Sequence, residues 1–266
     1  MDYQQQQQQV ARHVARTLRG RNFQGFPIRR SFVFSPEPRT PSPMVELMRT
    51  AKGGGGKGGR VRLLLYLAAL WIAGTQKDEN GTYFTQRAPR FWAELLELED
   101  PSVKGARAIR NARDALIERG LFLPHPDPRV IILCREDRKG EKYSIPTGGQ
   151  GDSYFRVPEE FFTGGKIKKM TLPGIAMYVI ALSVVKIPEK GMPPSLVFRP
   201  HVTREKFGLA DLSRKKGIKE LIDLDIFIDV TDPLEIMRYG YGYEGQPRNL
   251  SKSVAINPAY LPRLTR

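Results

Sequence analysis

The chain has one cysteine, three histidines and 28 acidic residues against 43 basic ones, and it lacks an apolar run of membrane-spanning length. The lone Cys134 excludes a disulfide within the chain and any multi-thiolate zinc site. Its setting, "VIILC", suits a buried strand residue better than a reactive thiol, and a reducing cytoplasm is the expected compartment. His13, His125 and His201 are far apart and form no HxH or HExxH pattern, so no metal pair is expected. A GxSxG elbow is absent as well, and the acids of "ELLELED" (Glu94–Asp100) read as a helix face. The chain is expected to be no enzyme and to need no cofactor. The most apolar block, "VRLLLYLAALWIAG", contains Arg62 and ends short of the roughly 20 residues a span requires, so no membrane partner is expected. The opening "MDYQQQQQQ" is unlike a secretory signal, and Asp2 and the Gln run make an organellar presequence a minor reading of "VARHVARTLRGR".

The shortage of acids leaves a net charge of +15 and a pI near 10.0, which points to a polyanionic partner. The excess is uneven: 11 basic against 3 acidic residues over 1–60, 14 against 12 over 61–150, and 18 against 13 over 151–266.

Glycine crowds into "RTAKGGGGKGGRVRLLLYLAALWIAG", Arg49 to Gly74. A phosphate-binding nucleotide loop needs GxxxxGK followed by Ser or Thr after a strand. Here Lys57 precedes Gly58 and no strand leads in, which excludes that loop. A Gly-rich, basic hinge over residues 44–60 remains, with Lys57, Arg60 and Arg62 expected to touch phosphate at the mouth of a helix.

Residues 1–43 read as a disordered basic arm, because a Gln run and "SPEPRTPSP" cannot bury enough surface to order themselves. "FPIRRSFVF" is the one segment there with strand character. Residues 61–150 read as a unit of three helices (Val61–Ala73, Pro89–Leu98 and Ser102–Gly120) followed by the hairpin "VIILCREDRKGEKYSI". Residues 151–266 repeat the order with a strand at Tyr154–Pro158 and a helix at Thr171–Val185. A helix near Thr203–Phe207 and a third in "ADLSRKKGIKELIDLDIFIDV" follow, with a long tip before "SKSVAINP". "DALIERGLF" (Asp114–Phe122) matches "KELIDLDIF" (Lys219–Phe227) at Leu116 and Leu221, Ile117 and Ile222, and Phe122 and Phe227, as tandem units would. The expected fold class is α+β, mostly helical: two tandem winged helix-turn-helix domains after the disordered basic N-terminal arm.

Such domains lay the third helix in the major groove, where its early residues reach base edges. The candidate DNA-binding residues are Ser102, Lys104, Arg107, Arg110 and Asn111 in the first unit, with Arg138 and Lys139 in its wing. In the second unit they are Ser213, Arg214, Lys215, Lys216 and Lys219. The long tip adds Arg238, Tyr241 and Arg248 beside Tyr239 and Tyr243, suited to a minor groove or to stacking. Charge packed early in the second third-helix marks it as the base reader. The more neutral first unit is expected to give backbone contacts and a homodimer interface.

"YFRVPEEFFTGGKIKKMTLPGIAMYVIALS", Tyr154 to Ser183, resembles the opening of winged-helix domains in plasmid replication initiators. Those domains begin with an aromatic–basic–Val/Ile–Pro strand, then a Phe, a Lys-rich turn, a Leu-led cap and an apolar helix with a central Tyr. Phe155, Val157, Pro158, Phe162, Lys168, Lys169, Leu172 and Tyr178 stand in those places. The resemblance implies a tandem fold whose partner is double-stranded DNA, bound at repeated origin sites of a plasmid or mobile element without strand nicking. A transcriptional regulator, or a partition or accessory protein with the same fold, is the alternative. A third class is an RNA-binding or assembly protein built from the same modules.

Overall fold

Short strands alternate with helices throughout the computed structural model, which describes residues 3–18, 25–49, 57–74, 76–186, 194–231 and 252–262. From the N-terminus come α1 (Tyr3–Leu18), β1 (Phe26–Arg29) and α2 (Pro43–Met48). A first unit follows: α3 (Lys57–Ala73), β2 (Phe84–Gln86), α4 (Pro89–Leu95), α5 (Ala106–Glu118), β3 (Phe122–Leu123) and β4 (Val130–Leu133). After β5 (Tyr154–Val157) and α6 (Glu160–Thr163), the same order recurs as α7 (Leu172–Val184), β6 (Leu196–Val197), α8 (Pro200–Phe207), α9 (Asp211–Asp223), β7 (Phe227–Asp229) and β8 (Ser253–Ile256). The architecture is α+β, about half helical, with small antiparallel sheets.

The repetition extends to the sheets. Strand order is β2-β4-β3 in the first unit and β6-β8-β7 in the second, so each unit's last strand is central. The third helices match as well. Aligned on Leu116 and Leu221, α5 buries Ile109, Ala112 and Arg113 where α9 buries Arg214, Gly217 and Ile218. Beyond their first turns α3 (from Leu63) and α7 (from Gly174 to Ser183) are buried on every side, as helices apolar around their circumference must be. α9 approaches α7 closely because Gly217 has no side chain; a Cβ there would lie 2.4 Å from the Pro173 carbonyl oxygen.

The expected disorder of residues 1–43 is overturned for the described residues 3–18 and 25–43. α1 buries Ala11, Val14, Ala15 and Leu18, a three-and-four spacing on one face. All four β1 residues are buried, and β1 pairs antiparallel with β5 in the register Phe26 to Val157 through Arg29 to Tyr154. Phe32 and Val33 are fully enclosed. Composition suggested a tail because the partner strand lies more than 120 residues away in sequence.

The hinge over 44–60 is also largely helical where it is described. Ser42 caps α2 by accepting from the Val45 N–H at 3.3 Å, Pro43 opens the first turn, and Met44 and Leu47 are enclosed. At the other end α3 begins at Lys57 and includes Gly58 and Gly59. Gly59 is required, since a Cβ would lie 2.6 Å from the Met48 carbonyl oxygen.

The division at residue 150 does not separate two cores. Trp71 of the first unit stacks on Phe162 with centroids 4.9 Å apart, and one continuous apolar cluster runs from Ala11 to Leu261. The stretch between β1 and α2 ties the units further. The Ser35 N–H donates to the Lys206 carbonyl at 2.7 Å, and Phe34 packs on Phe207. Gly208, at φ 70° between α8 and α9, presses on Pro41.

Two local expectations change. Ser102 does not cap the third helix. It lies in a π-turn, Pro101–Gly105, entered through a left-handed Asp100, and Ala106 starts α5. The first unit's counterpart of the β7–β8 connection is the six-residue loop 124–129 between β3 and β4. The turn carrying Arg138 and Lys139 follows β4 instead, closing back through a Cys134–Lys142 bridge.

Candidate nucleic-acid interface

α9 presents Lys215, Lys216 and Lys219 to solvent along one face, with Leu212 exposed at its start. Helical periodicity makes this a continuous stripe. The opposite face, with Gly217, Ile218 and Leu221, packs inward, mainly on α7. Lys215 leans on Asp211 at 3.3 Å, while Lys216 reaches the groove described below.

Arg214 is not on that stripe, which corrects its assignment as a DNA contact. It is 5 % exposed; its Nε donates to Asp211 Oδ1 at 2.8 Å and its Nη1 to the Phe198 carbonyl at 2.9 Å. The hydrogen bond from Arg214 is the main cause holding the Asp211 carboxyl below its usual range. Ser213 is half-buried.

Arg60 and Arg62 are corrected likewise. Arg60 donates from Nε to the Met170 carbonyl at 2.8 Å and from Nη2 to the Ile167 carbonyl at 2.6 Å. It thereby clamps the 3-10 turn Ile167–Lys169 and leaves Lys168 and Lys169 facing solvent. Arg62 donates to the carbonyls of Leu47 at 3.0 Å and Arg49 at 2.7 Å, satisfying the open end of α2. Both side chains spend their donors on backbone carbonyls of other elements. Lys57 opens α3.

An open cavity of about 850 Å3 lies between α2, the lysine turn and the start of α9. Among the described residues, Arg49, Lys168, Lys169 and Lys216 line it with no carboxylate. A neighbouring cavity of about 900 Å3 shares Arg49 and adds Arg39, His201 and Arg204, together with Glu205 and Asp211. Arg39, Arg49, Lys168, Lys169 and Arg204 were not among the sequence candidates. The only available signal was the run "KIKK"; the rest are scattered singly and converge only through the fold.

On α5 the expected Arg107, Arg110 and Asn111 are exposed, as are Ser102 and Lys104 in the preceding turn, where Lys104 lies 3.9 Å from Glu99. In the alignment of the two helices, Arg110, Asn111 and Asp114 occupy the positions of Lys215, Lys216 and Lys219. The first unit therefore presents a face of mixed charge. Arg138 is a correction: it pairs with Glu46 of α2 and donates from Nε to the Arg119 carbonyl at 3.2 Å, tying two elements together. Lys139 is exposed. Arg238, Tyr241 and Arg248, with the rest of the long tip, lie outside the described residues.

Cys134 is enclosed, and burial pushes its thiol up to about 11, away from reactivity. Among the described residues no group of three or more His, Cys, Asp or Glu side chains could hold a metal ion. No helix among them is long and apolar enough to cross a membrane. Comparison with protein-family models, with curated proteins and with solved structures finds no match to this chain.

Proposed function

We propose that the protein binds double-stranded DNA in a sequence-specific manner through two tandem winged-helix units, with the second unit reading bases. The observation that carries this reading is the lysine stripe of α9, Lys215, Lys216 and Lys219, set beside a groove lined by Arg49, Lys168 and Lys169 with no carboxylate among the described residues. A helix of that charge, flanked by a patch that can grip phosphate, suits major-groove docking. The element order α-β-α-α-β-β with the last strand central supports the winged-helix assignment in both units. The mixed-charge face of α5 suits backbone contacts or a second copy of the chain, in keeping with the division of labour expected from charge.

The test is a pair of variants, Lys215→Ala with Lys216→Ala and, separately, Arg107→Ala, titrated against selected and scrambled duplexes at two salt concentrations. Loss of a base contact should cost about 1–3 kcal/mol on the selected site and little on the scrambled one; loss of a phosphate contact should lower the salt slope by about one unit on both. Loss of discrimination in Arg107→Ala alone would reverse the assignment. Footprinting separates the two biological roles. Protection of an array of direct repeats beside melted AT-rich DNA marks a replication initiator, and protection of a promoter palindrome marks a regulator.

A further inference from the structure

We infer that the cavity between α2, the Lys168–Lys169 turn and the start of α9 binds a small amphipathic anion with an aliphatic body, and that this ligand competes with DNA. The site rests on geometry alone; only the competition rests on the DNA-binding reading. At about 850 Å3 the cavity has the dimensions of a small-molecule site and far exceeds what one phosphate group fills. Its floor is apolar, formed by Val45, Met48, Met170 and Leu209, all buried, with Leu172 half-buried beside them. Among the described residues no aromatic side chain lines it, so a nucleobase finds no ring there to stack on, whereas methionine and leucine adapt well to a flexible chain.

The rim supplies the charge. Arg49, Lys168, Lys169 and Lys216 surround the mouth with no carboxylate among the described residues that line it. The fifth cation, Arg60, is engaged with the Ile167 and Met170 carbonyls and holds the lysine turn in place. A backbone phosphate would satisfy the rim and leave the floor empty; an anion with an alkyl chain satisfies both. The neighbouring cavity lacks this character, because Glu205 and Asp211 offset its cations. Since Lys216 belongs to both the rim and the α9 stripe, a ligand that engages it withdraws a cation from DNA.

The experiment uses the full chain and octyl phosphate below its micellar concentration, titrated by calorimetry without DNA. Inorganic phosphate and octan-1-ol are the comparison probes, each carrying half of the proposed chemistry. Saturable one-to-one binding at least tenfold tighter than either comparison probe is expected, with at least a tenfold loss in the double variant Lys168→Ala/Lys169→Ala. Those lysines are exposed, so the variant should keep its circular dichroism. Equal affinity for inorganic phosphate would overturn the apolar half of the site, and unchanged octyl phosphate binding in the double variant would overturn the rim. Competition is read separately, as at least a tenfold weakening of duplex binding at saturating octyl phosphate. Binding of octyl phosphate by a chain that binds no duplex would sink the DNA reading and leave the site standing. Simultaneous binding of both would sink the competition alone.

Discussion

Arg29 and Arg214 have the residue type of nucleic-acid contacts and the environment of core residues. Arg29, 1 % exposed, donates from Nη1 to Glu136 at 2.7 Å, from Nε to Asp152 at 2.5 Å and from Nη2 to the Ser144 carbonyl at 2.8 Å. Glu136 is itself fully enclosed; burial pushes its carboxyl up against the pull of Arg29. Removing one partner of a buried pair strands the other, so Arg29→Ala should cost about 3–5 kcal/mol in urea unfolding. Arg29→Met combined with Glu136→Met should recover most of that loss. A second residue-scale outcome concerns Glu97, 9 % exposed, whose carboxyl burial pushes up while Lys168 and Arg60 oppose the rise. A carboxyl raised in the folded state favours its protonated form, so it destabilises the fold above its folded pKa, and that penalty fades as pH falls toward the ordinary value near 4.5. Glu97→Gln should therefore melt higher than the parent protein at pH 7, with the gap closing toward pH 4.5. A gap that is constant with pH would show that the carboxyl is not the cause.

Among the elements, β1 and the 3-10 turn Arg30–Phe32 that follows it decide the most. Phe26, Ile28, Phe32 and Val33 are each 1 % exposed or less, and burying side chains of this size contributes about 1.5–3 kcal/mol apiece. Their sum, roughly 6–12 kcal/mol, matches the whole stability of an ordinary domain. Deleting residues 1–43 should abolish cooperative unfolding, read by circular dichroism against urea; a truncated chain with an intact transition would show that β5 finds another partner. The apolar helices α3 and α7 were legible because an all-round apolar pattern can only be buried. β1 was not, since four residues beside a Gln run and a Pro-rich stretch carry too little periodicity to announce a strand whose pairing is supplied by β5.

At the scale of the whole molecule, the two repeated units share a core across the Trp71–Phe162 stack and the β1–β5 pair. They should therefore unfold together. Tryptophan fluorescence, which follows Trp71 and Trp92, and far-ultraviolet circular dichroism should give coincident urea transitions, and a fragment of residues 1–150 should remain unfolded because β1 has lost β5. Two separable transitions would show that each unit folds alone. Fixed units also present α5 and α9 at a constant separation, a property that independent domains on a linker would lack.

Local chemistry was sufficient to decide what needs only neighbours in sequence: the apolar helices, the matched junctions at Leu116 and Leu221, the left-handed stop at Gly120 and the exposure of Lys215, Lys216 and Lys219 on one helical face. It also held the repetition of the two units, because period and order are properties of the string. Only tertiary structure decided which cations are free. Arg60, Arg62, Arg138 and Arg214 look like the exposed lysines in composition, yet each donates to a carbonyl from another part of the chain. The basic groove arises the same way, since Arg49, Lys168, Lys169 and Lys216 become neighbours only when α2, the lysine turn and α9 pack together. A guanidinium offers five donors in a fixed fork and suits a buried carbonyl as well as a phosphate, and only the burial around it settles which it meets.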